Sequence, residues 1–172
     1  MEGLNFIPYT HSDGIPMHRD SYIKALWDRI ERDGLAPIVF DDGQVKDADS
    51  FLAMVKDGTK TIWFEIQVYG ETIGMVWFNR LEKTHAYCHF LAFPEHWGRK
   101  DSVVIGREAL KMITHYFPTI MGMIPTWNTH AIDWLKKVGL HESIVIPNLI
   151  WSASKDKAME GMILYITAED LE

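Results

Sequence analysis

Three side chains on two predicted strands could take part in proton transfer. Tyr87 and His89 are two residues apart on a strand predicted for residues 84–93, so both lie on one face of it. A histidine can accept a proton near neutral pH. Glu65, on a strand predicted for residues 61–69, is the third candidate. A partly buried structural histidine and a solvated strand-face carboxylate are the alternative interpretations of His89 and Glu65.

The segment before the longest predicted helix could bind an anion. Gly98, Arg99 and Lys100 precede a helix predicted for residues 101–117. The first turn of a helix has backbone N–H groups without partners and the positive end of the helix dipole, and the two cations add charge. Two solvated loop cations are the alternative interpretation.

Spacing argues against other reactive arrangements. His85 and His89 are four residues apart on a strand, which separates them by roughly 13 Å. The other histidines follow no recognised ligand spacing, so no metal site is predicted. Cys88 and His89 are strand neighbours that point to opposite faces, and so they do not form a nucleophile pair.

The predicted helices and strands alternate in a mixed order. Strands are predicted at residues 5–9, 61–69, 72–80, 84–93, 119–124, 141–152 and 160–167. Helices are predicted from Ser21 to about Gly34, at 49–56, at 101–117, and after an Asn128 cap as far as Gly139. Gly70 and Glu71 are predicted to form a two-residue hairpin loop. An antiparallel meander followed by a strand–helix–strand crossover indicates an α/β protein with a mixed sheet.

The composition is that of one globular domain spanning residues 1–172. With 47% hydrophobic residues and a single cysteine, the chain is neither disordered nor a disulfide scaffold. A net charge of −7 argues against nucleic-acid binding and is compatible with a cationic substrate such as an amine. No apolar run approaches the ~20 residues that span a bilayer, and no signal peptide is recognised, so a cytoplasmic location is predicted.

The order of these elements resembles the GNAT superfamily of N-acetyltransferases. Three segments carry the resemblance: Phe90-Leu91-Ala92-Phe93-Pro94-Glu95-His96-Trp97-Gly98-Arg99-Lys100 before the long helix, the strand at 120–124 with Asn128 and the helix ending at Gly139-Leu140, and the hairpin Gly70-Glu71-Thr72-Ile73-Gly74. The resemblance covers most of the chain beyond Thr61. It implies a GNAT-like fold with a mixed, mostly antiparallel sheet of about seven strands, flanked by about four helices and opened near its middle into a V-shaped cleft.

The resemblance also implies a function and a set of site residues. The implied reaction transfers an acetyl group from acetyl-CoA to a primary amine of a small molecule or a protein. The implied cofactor-binding residues are Leu91, Ala92, Phe93, Gly98, Arg99, Lys100, Asp101, Ser102 and Asn128. Backbone groups of Leu91 and Phe93 would pair with the pantetheine arm, and the loop from Gly98 to Ser102 would hold the pyrophosphate.

The loop departs from the family pattern at two positions. The family's loop opens with glutamine or arginine and closes on a second glycine or an alanine, where this chain has Glu95 and Lys100. Glycine at the closing position lets backbone N–H groups approach a pyrophosphate closely. Lys100 adds a side chain there, and Asp101 places a carboxylate near the anion. Acetyl-CoA binding therefore rests on the resemblance in fold more than on the loop.

The proton-transfer positions differ as well. The family's glutamate near the start of the fourth strand corresponds to Tyr87, and its tyrosine acid corresponds to Leu135. His130, or a water held by Asn128, could replace the missing acid.

These departures support a second hypothesis, a GNAT-fold protein that does not catalyse and acts as a binding or assembly module. Trp127 and Trp151 would then belong to an exposed apolar interface. Formation of a homo-oligomer is compatible with both hypotheses.

Overall fold

Seven strands pair into one sheet in the order β1-β2-β3-β4-β5-β7-β6 in the computed structural model, which describes residues 1–172. The strands are β1 (Leu4–Pro8), β2 (Thr61–Val68), β3 (Glu71–Asn79), β4 (His85–Ala92), β5 (Thr119–Pro125), β6 (His141–Ser152) and β7 (Lys157–Thr167). Only β4 and β5 are parallel, and every other neighbouring pair is antiparallel. The predicted mixed, mostly antiparallel sheet of about seven strands is confirmed.

Five helices cover the two faces of this sheet. They are α1 (Asp20–Arg32), α2 (Ala36–Val39), α3 (Ala48–Lys56), α4 (Ser102–Thr114) and α5 (Thr129–Val138), with single 3-10 turns at Pro94–His96 and Glu169–Leu171. The four predicted helices are all present. α2 was not predicted, because four residues are too short to show helical periodicity. No helix combines the length and the apolar character needed to cross a membrane.

Each face of the sheet has its own hydrophobic core. On one face α1 and α3 pack on Trp63, Trp77 and Phe93. On the other, α4 and α5 pack on side chains that include Phe78 and Cys88. Because strand side chains alternate, the odd-numbered residues of β4 face α1 and α3, and the even-numbered ones face α4 and α5.

The sheet opens between β4 and β5. These strands pair only where residues 85–87 lie beside residues 119–121, and the last pair is Tyr87 with Met121. β4 continues to Ala92, while the rest of β5 remains paired with β7 on its other side. The result is a gap between the carboxyl-terminal halves of two parallel strands, in the position predicted for the cleft.

The β2–β3 turn differs from its prediction by one residue. Val68 pairs with Glu71, so the loop consists of Tyr69 and Gly70 rather than Gly70 and Glu71. Both have positive φ, 51° and 82°, which a type I′ hairpin turn requires. The prediction was wrong because a tyrosine rarely adopts this conformation.

Candidate functional site

The backbone of β4 presents alternate residues to the gap. The Phe93 N–H donates to the Ile73 carbonyl at 3.0 Å, so the backbone of Phe93 faces β3. Leu91 faces the same way, since its carbonyl oxygen would lie 2.1 Å from a Cβ placed on Gly74 of β3. By alternation, Phe90 and Ala92 present their N–H and carbonyl groups to the gap.

This corrects the predicted role of Leu91 and Phe93. Their backbone groups point toward β3, and their side chains are buried against α1 and α3. Ala92, also predicted, does face the gap, and its carbonyl accepts a hydrogen bond from the Trp97 indole N–H at 2.8 Å. Sequence reasoning did not identify Phe90 or Trp97, because the direction of a strand's backbone groups depends on its partner strand.

The loop after β4 contains a cluster of unpaired backbone donors. Six N–H groups here donate no hydrogen bond, those of Gly98, Arg99, Lys100, Asp101, Val103 and Val104. Gly98 has a φ of +72°, which lets the loop turn directly into α4. Free N–H groups gathered at the start of a 13-residue helix are the kind of arrangement that can bind an anion, and the anion site predicted for this segment stays a prediction.

The charge of this loop is lower than its sequence indicates. Arg99 donates from Nε and Nη2 to the two carboxylate oxygens of Asp101, at 2.8 and 2.7 Å. The hydrogen bonds from Arg99 lower the pKa of the Asp101 carboxyl. Lys100 makes no such pair. One free cation therefore accompanies the N–H groups, and not the two that were predicted.

A narrow cavity lies beside this loop, on the side of α4 and α5. It measures about 60 Å³, well below the several hundred Å³ of ordinary ligand pockets, and its walls include Phe90, Ala92 and Ser102. Trp134 of α5 closes it, with its indole N–H donating to Ser102 Oγ at 3.3 Å and its ring meeting Phe90 at 5.0 Å.

Gly106 of α4 serves packing between helices. A Cβ there would lie 2.8 Å from Val138 and 2.9 Å from Trp134, both on α5. A glycine at this position therefore lets α4 pack closely against α5.

His89 is a partly buried, neutral histidine, as in the alternative interpretation. Its Nε2 lies 3.1 Å from Asn79 Oδ1, and its ring stacks on Trp77 at 5.1 Å. Burial lowers the pKa of His89 to about 4, so it is a weak base at neutral pH. Tyr87, two residues earlier, lies under the Arg80 guanidinium at 5.1 Å, where β4 and β5 begin to separate.

Glu65 is fully buried, so the interpretation as a solvated carboxylate was wrong. It accepts hydrogen bonds from the hydroxyls of Tyr22 and Thr72, and its other oxygen lies 3.5 Å from His18 Nε2. Burial and the bond to Glu65 raise the pKa of Tyr22 to about 12. In the sheet register Glu65 lies opposite Met75, whereas His89 lies opposite Trp77. No hydrogen bond joins Glu65 to Tyr87 or His89.

The remaining predicted positions have structural roles. The Asn128 side chain accepts from the Ala131 N–H at 3.3 Å and caps α5. Leu135, at the position of the family's tyrosine, is buried in the core, and His130 is exposed.

Comparison with known proteins gives a fold but no relative by sequence. No family model matches the chain, and no curated protein sequence matches it. Solved structures do match. Spermidine N-acetyltransferase from Vibrio cholerae, in complex with CoA and spermine, superposes with a TM-score of 0.76 at 12% identity, covering 99% of both chains.

Two further solved structures are similar to the same degree. The acetyltransferase from Salmonella typhimurium that modifies the N-terminal serine of ribosomal protein L7/L12 has a TM-score of 0.77 at 10% identity, over 97% of this chain and 96% of its own. RimJ from Mycobacterium smegmatis, in complex with a CoA disulfide, has a TM-score of 0.74 at 16% identity, over 91% and 82%. At these identities the likeness is one of fold.

Proposed function

From the GNAT fold of this chain, we propose that it is an acetyl-CoA-dependent N-acetyltransferase acting on a primary amine, with residues 1–172 forming the single domain that does so. The cluster of unpaired N–H groups between Gly98 and Val104 carries the proposal. This cluster follows β4 in the chain, and β4 is one of the two strands that border the gap. Two solved structures of the same fold are acetyltransferases that act on amines, and two contain CoA or a CoA disulfide.

The residues present fit acetyl-CoA. The unpaired N–H groups and Lys100 would hold the pyrophosphate, while the gap-facing backbone of Phe90 and Ala92 would pair with the pantetheine arm. When bound, acetyl-CoA supplies the acyl group as a reactive thioester. The cavity beside Trp134 must widen to admit the arm, since about 60 Å³ is too small for it.

An amine acceptor is supported by the neighbours and by charge. The neighbours are a spermidine acetyltransferase and an enzyme that modifies an N-terminal serine, so both small and protein amines are acceptors in this fold. The net charge of −7 favours a cationic acceptor. Among the predicted proton-transfer residues, Tyr87 lies where the gap begins. Its hydroxyl, which can donate a hydrogen bond, is our candidate proton donor to the departing thiolate.

Acetyl-CoA should raise the melting temperature of the protein. A ligand at a hundred times its dissociation constant stabilises a fold by about 2.7 kcal/mol, or a few degrees for a chain of this size. Thermal melting with millimolar acetyl-CoA measures this shift. Adenosine, which has no phosphate, serves as the control ligand. If acetyl-CoA produces no shift, the proposal is wrong. If acetyl-CoA does raise the melting temperature, a screen of amines for release of free CoA identifies the acceptor.

Replacing Asp101 should tighten acetyl-CoA binding. Asp101→Asn removes a carboxylate beside the anion site and frees the Arg99 guanidinium that it now holds. We expect an affinity gain of severalfold, larger at low salt because this charge is partly exposed. Isothermal titration calorimetry at two salt concentrations tests this. Asp133→Asn on α5 is the matched control and should change nothing.

A binding or assembly role without catalysis remains the second candidate, and the edge strand β6 is the observation that favours it. β6 has β7 on one side and no strand on the other. Ile144, Val145 and Trp151 on it are exposed, as is Trp127 nearby. Light scattering combined with the acetyl-CoA melt separates the two roles, because an oligomer indifferent to acetyl-CoA would favour assembly.

A further inference from the structure

A side chain of the protein itself occupies one of the backbone groups that face the β4–β5 gap. The Trp97 indole N–H donates to the Ala92 carbonyl at 2.8 Å. That carbonyl faces the gap, because the next residue, Phe93, directs its N–H to Ile73 on the other side of β4. β5 pairs with β4 only as far as Tyr87, so it leaves the Ala92 carbonyl without a strand partner. The indole therefore takes the place of a partner at the far end of the gap.

Little besides this hydrogen bond holds the indole in place. Trp97 is 61% exposed, more than any other of the seven tryptophans, and it belongs to neither hydrophobic core. An indole has one N–H and no acceptor, so the bond to Ala92 uses its whole hydrogen-bonding capacity. The next residue, Gly98, lies in open space, since a Cβ placed on it would meet no atom within 4 Å. Trp97 can therefore leave Ala92 without disturbing a core.

Trp97 lies between the two groups of backbone atoms that would hold acetyl-CoA. The unpaired N–H groups of the loop begin at Gly98, directly after it in the chain. The gap-facing backbone of Phe90 and Ala92 comes just before it. A pantetheine arm carries amide N–H groups, and it would approach the Ala92 carbonyl from the gap, which is the side that the indole already occupies. The indole and the arm thus compete for one acceptor.

We infer that Trp97 is an internal cap on the cofactor site, which must leave the Ala92 carbonyl before a pantetheine arm can pair with it. The inference rests on the proposed function, because it concerns how that same site is opened. The cap lowers the apparent affinity for ligands with a pantetheine arm, since only the uncapped fraction of molecules can bind the arm. A ligand that contacts the loop alone leaves the cap in place.

Removing the indole N–H should strengthen acetyl-CoA binding. Trp97→Phe keeps an aromatic ring and loses the donor, so the affinity should rise by about two- to tenfold, the range that corresponds to one hydrogen bond. Isothermal titration calorimetry measures it. Adenosine diphosphate has a pyrophosphate and no pantetheine arm, so its affinity should be the same in the variant and the parent. Trp151→Phe, at another exposed tryptophan on β6, is the matched control and should bind acetyl-CoA as the parent does.

The two possible failures of this experiment are distinguishable. A parent protein that binds no acetyl-CoA would contradict the proposed function, and the cap with it. A parent that binds acetyl-CoA, together with a Trp97→Phe variant that binds it equally or more weakly, would overturn the cap alone.

Hydrogen exchange of the indole protons tests the cap in the parent protein. Seven indole N–H signals are expected by NMR, and the signal missing from Trp97→Phe belongs to Trp97. Acetyl-CoA should make this proton exchange faster with water, because the bond to Ala92 is broken. Adenosine diphosphate should leave its exchange unchanged. An exchange rate that saturating acetyl-CoA leaves the same or lowers would show that Trp97 stays in place, and the inference would be wrong.

Discussion

Reversing both cations of the β4–α4 loop should nearly abolish acetyl-CoA binding. In Arg99→Glu/Lys100→Glu, three consecutive carboxylates, including Asp101, would face the phosphates. Charge-assisted hydrogen bonds contribute roughly 1.5–3 kcal/mol each, so the affinity should fall by a hundredfold or more. Isothermal titration calorimetry measures the change. Most of it should come from Lys100, since Arg99 is already bound to Asp101.

A control of equal charge distinguishes local from general electrostatics. Lys46→Glu/Lys83→Glu changes the net charge by the same amount, at exposed lysines that form no ion pair and lie outside the loop. It should alter affinity only slightly, and less as salt is raised. Both double variants should unfold close to the parent's melting temperature, because the loop side chains bury little. If the Arg99/Lys100 variant binds acetyl-CoA as the parent does, this loop is not the cofactor site.

The protein should lose about 2–3 kcal/mol of stability between pH 7 and pH 4.5 through His89 alone. Burial lowers the pKa of His89 to about 4, whereas the unfolded chain has the ordinary value near 6.5. Between these values the unfolded state binds a proton that the folded state does not. The stability is therefore complete above pH 6.5 and falls as the pH drops toward 4, at about 1.36 kcal/mol per unit of pKa difference.

His89→Phe should remove this dependence on pH. Phenylalanine keeps an aromatic ring on Trp77 but cannot be protonated, although Asn79 loses its partner and stability at pH 7 falls. Urea denaturation at several pH values gives the slope for each protein. His115→Phe, at an exposed histidine, should retain the parent's slope. An unchanged slope in His89→Phe would mean that the acid sensitivity arises from other groups.

Local patterns in the chain were sufficient to predict the fold. The stripe of Ile23, Leu26, Trp27 and Ile30 predicted the buried face of α1, and all four are buried. Alternating and apolar runs predicted all seven strands. Asn128 and Gly139 predicted the first and last residues that flank α5. Such signals depend on residues a few positions apart, so a single sequence contains them. The gap between β4 and β5 followed from the resemblance in the order of elements.

Backbone direction in β4 was decided by tertiary structure. Phe90 and Ala92 face the gap because Phe93 bonds to Ile73 on the other side, and this register is set by the pairing with β3. Nothing in the run from Phe90 to Phe93 distinguishes the two possibilities, since a shift of one residue reverses every backbone group.

The sequence also did not predict how deeply polar side chains are buried or which distant residues contact them. Glu65 looked like a surface carboxylate, yet Tyr22, 43 residues earlier, covers it and donates to it. His89 could be a base or a partly buried structural histidine, and its contacts with Trp77 and Asn79 give it the second role. The charge and proton affinity of a side chain depend on water and on neighbours that the folded chain brings together. Residue types and local periodicity thus determined which helices and strands form, whereas the three-dimensional packing decided which polar groups remain free for a ligand.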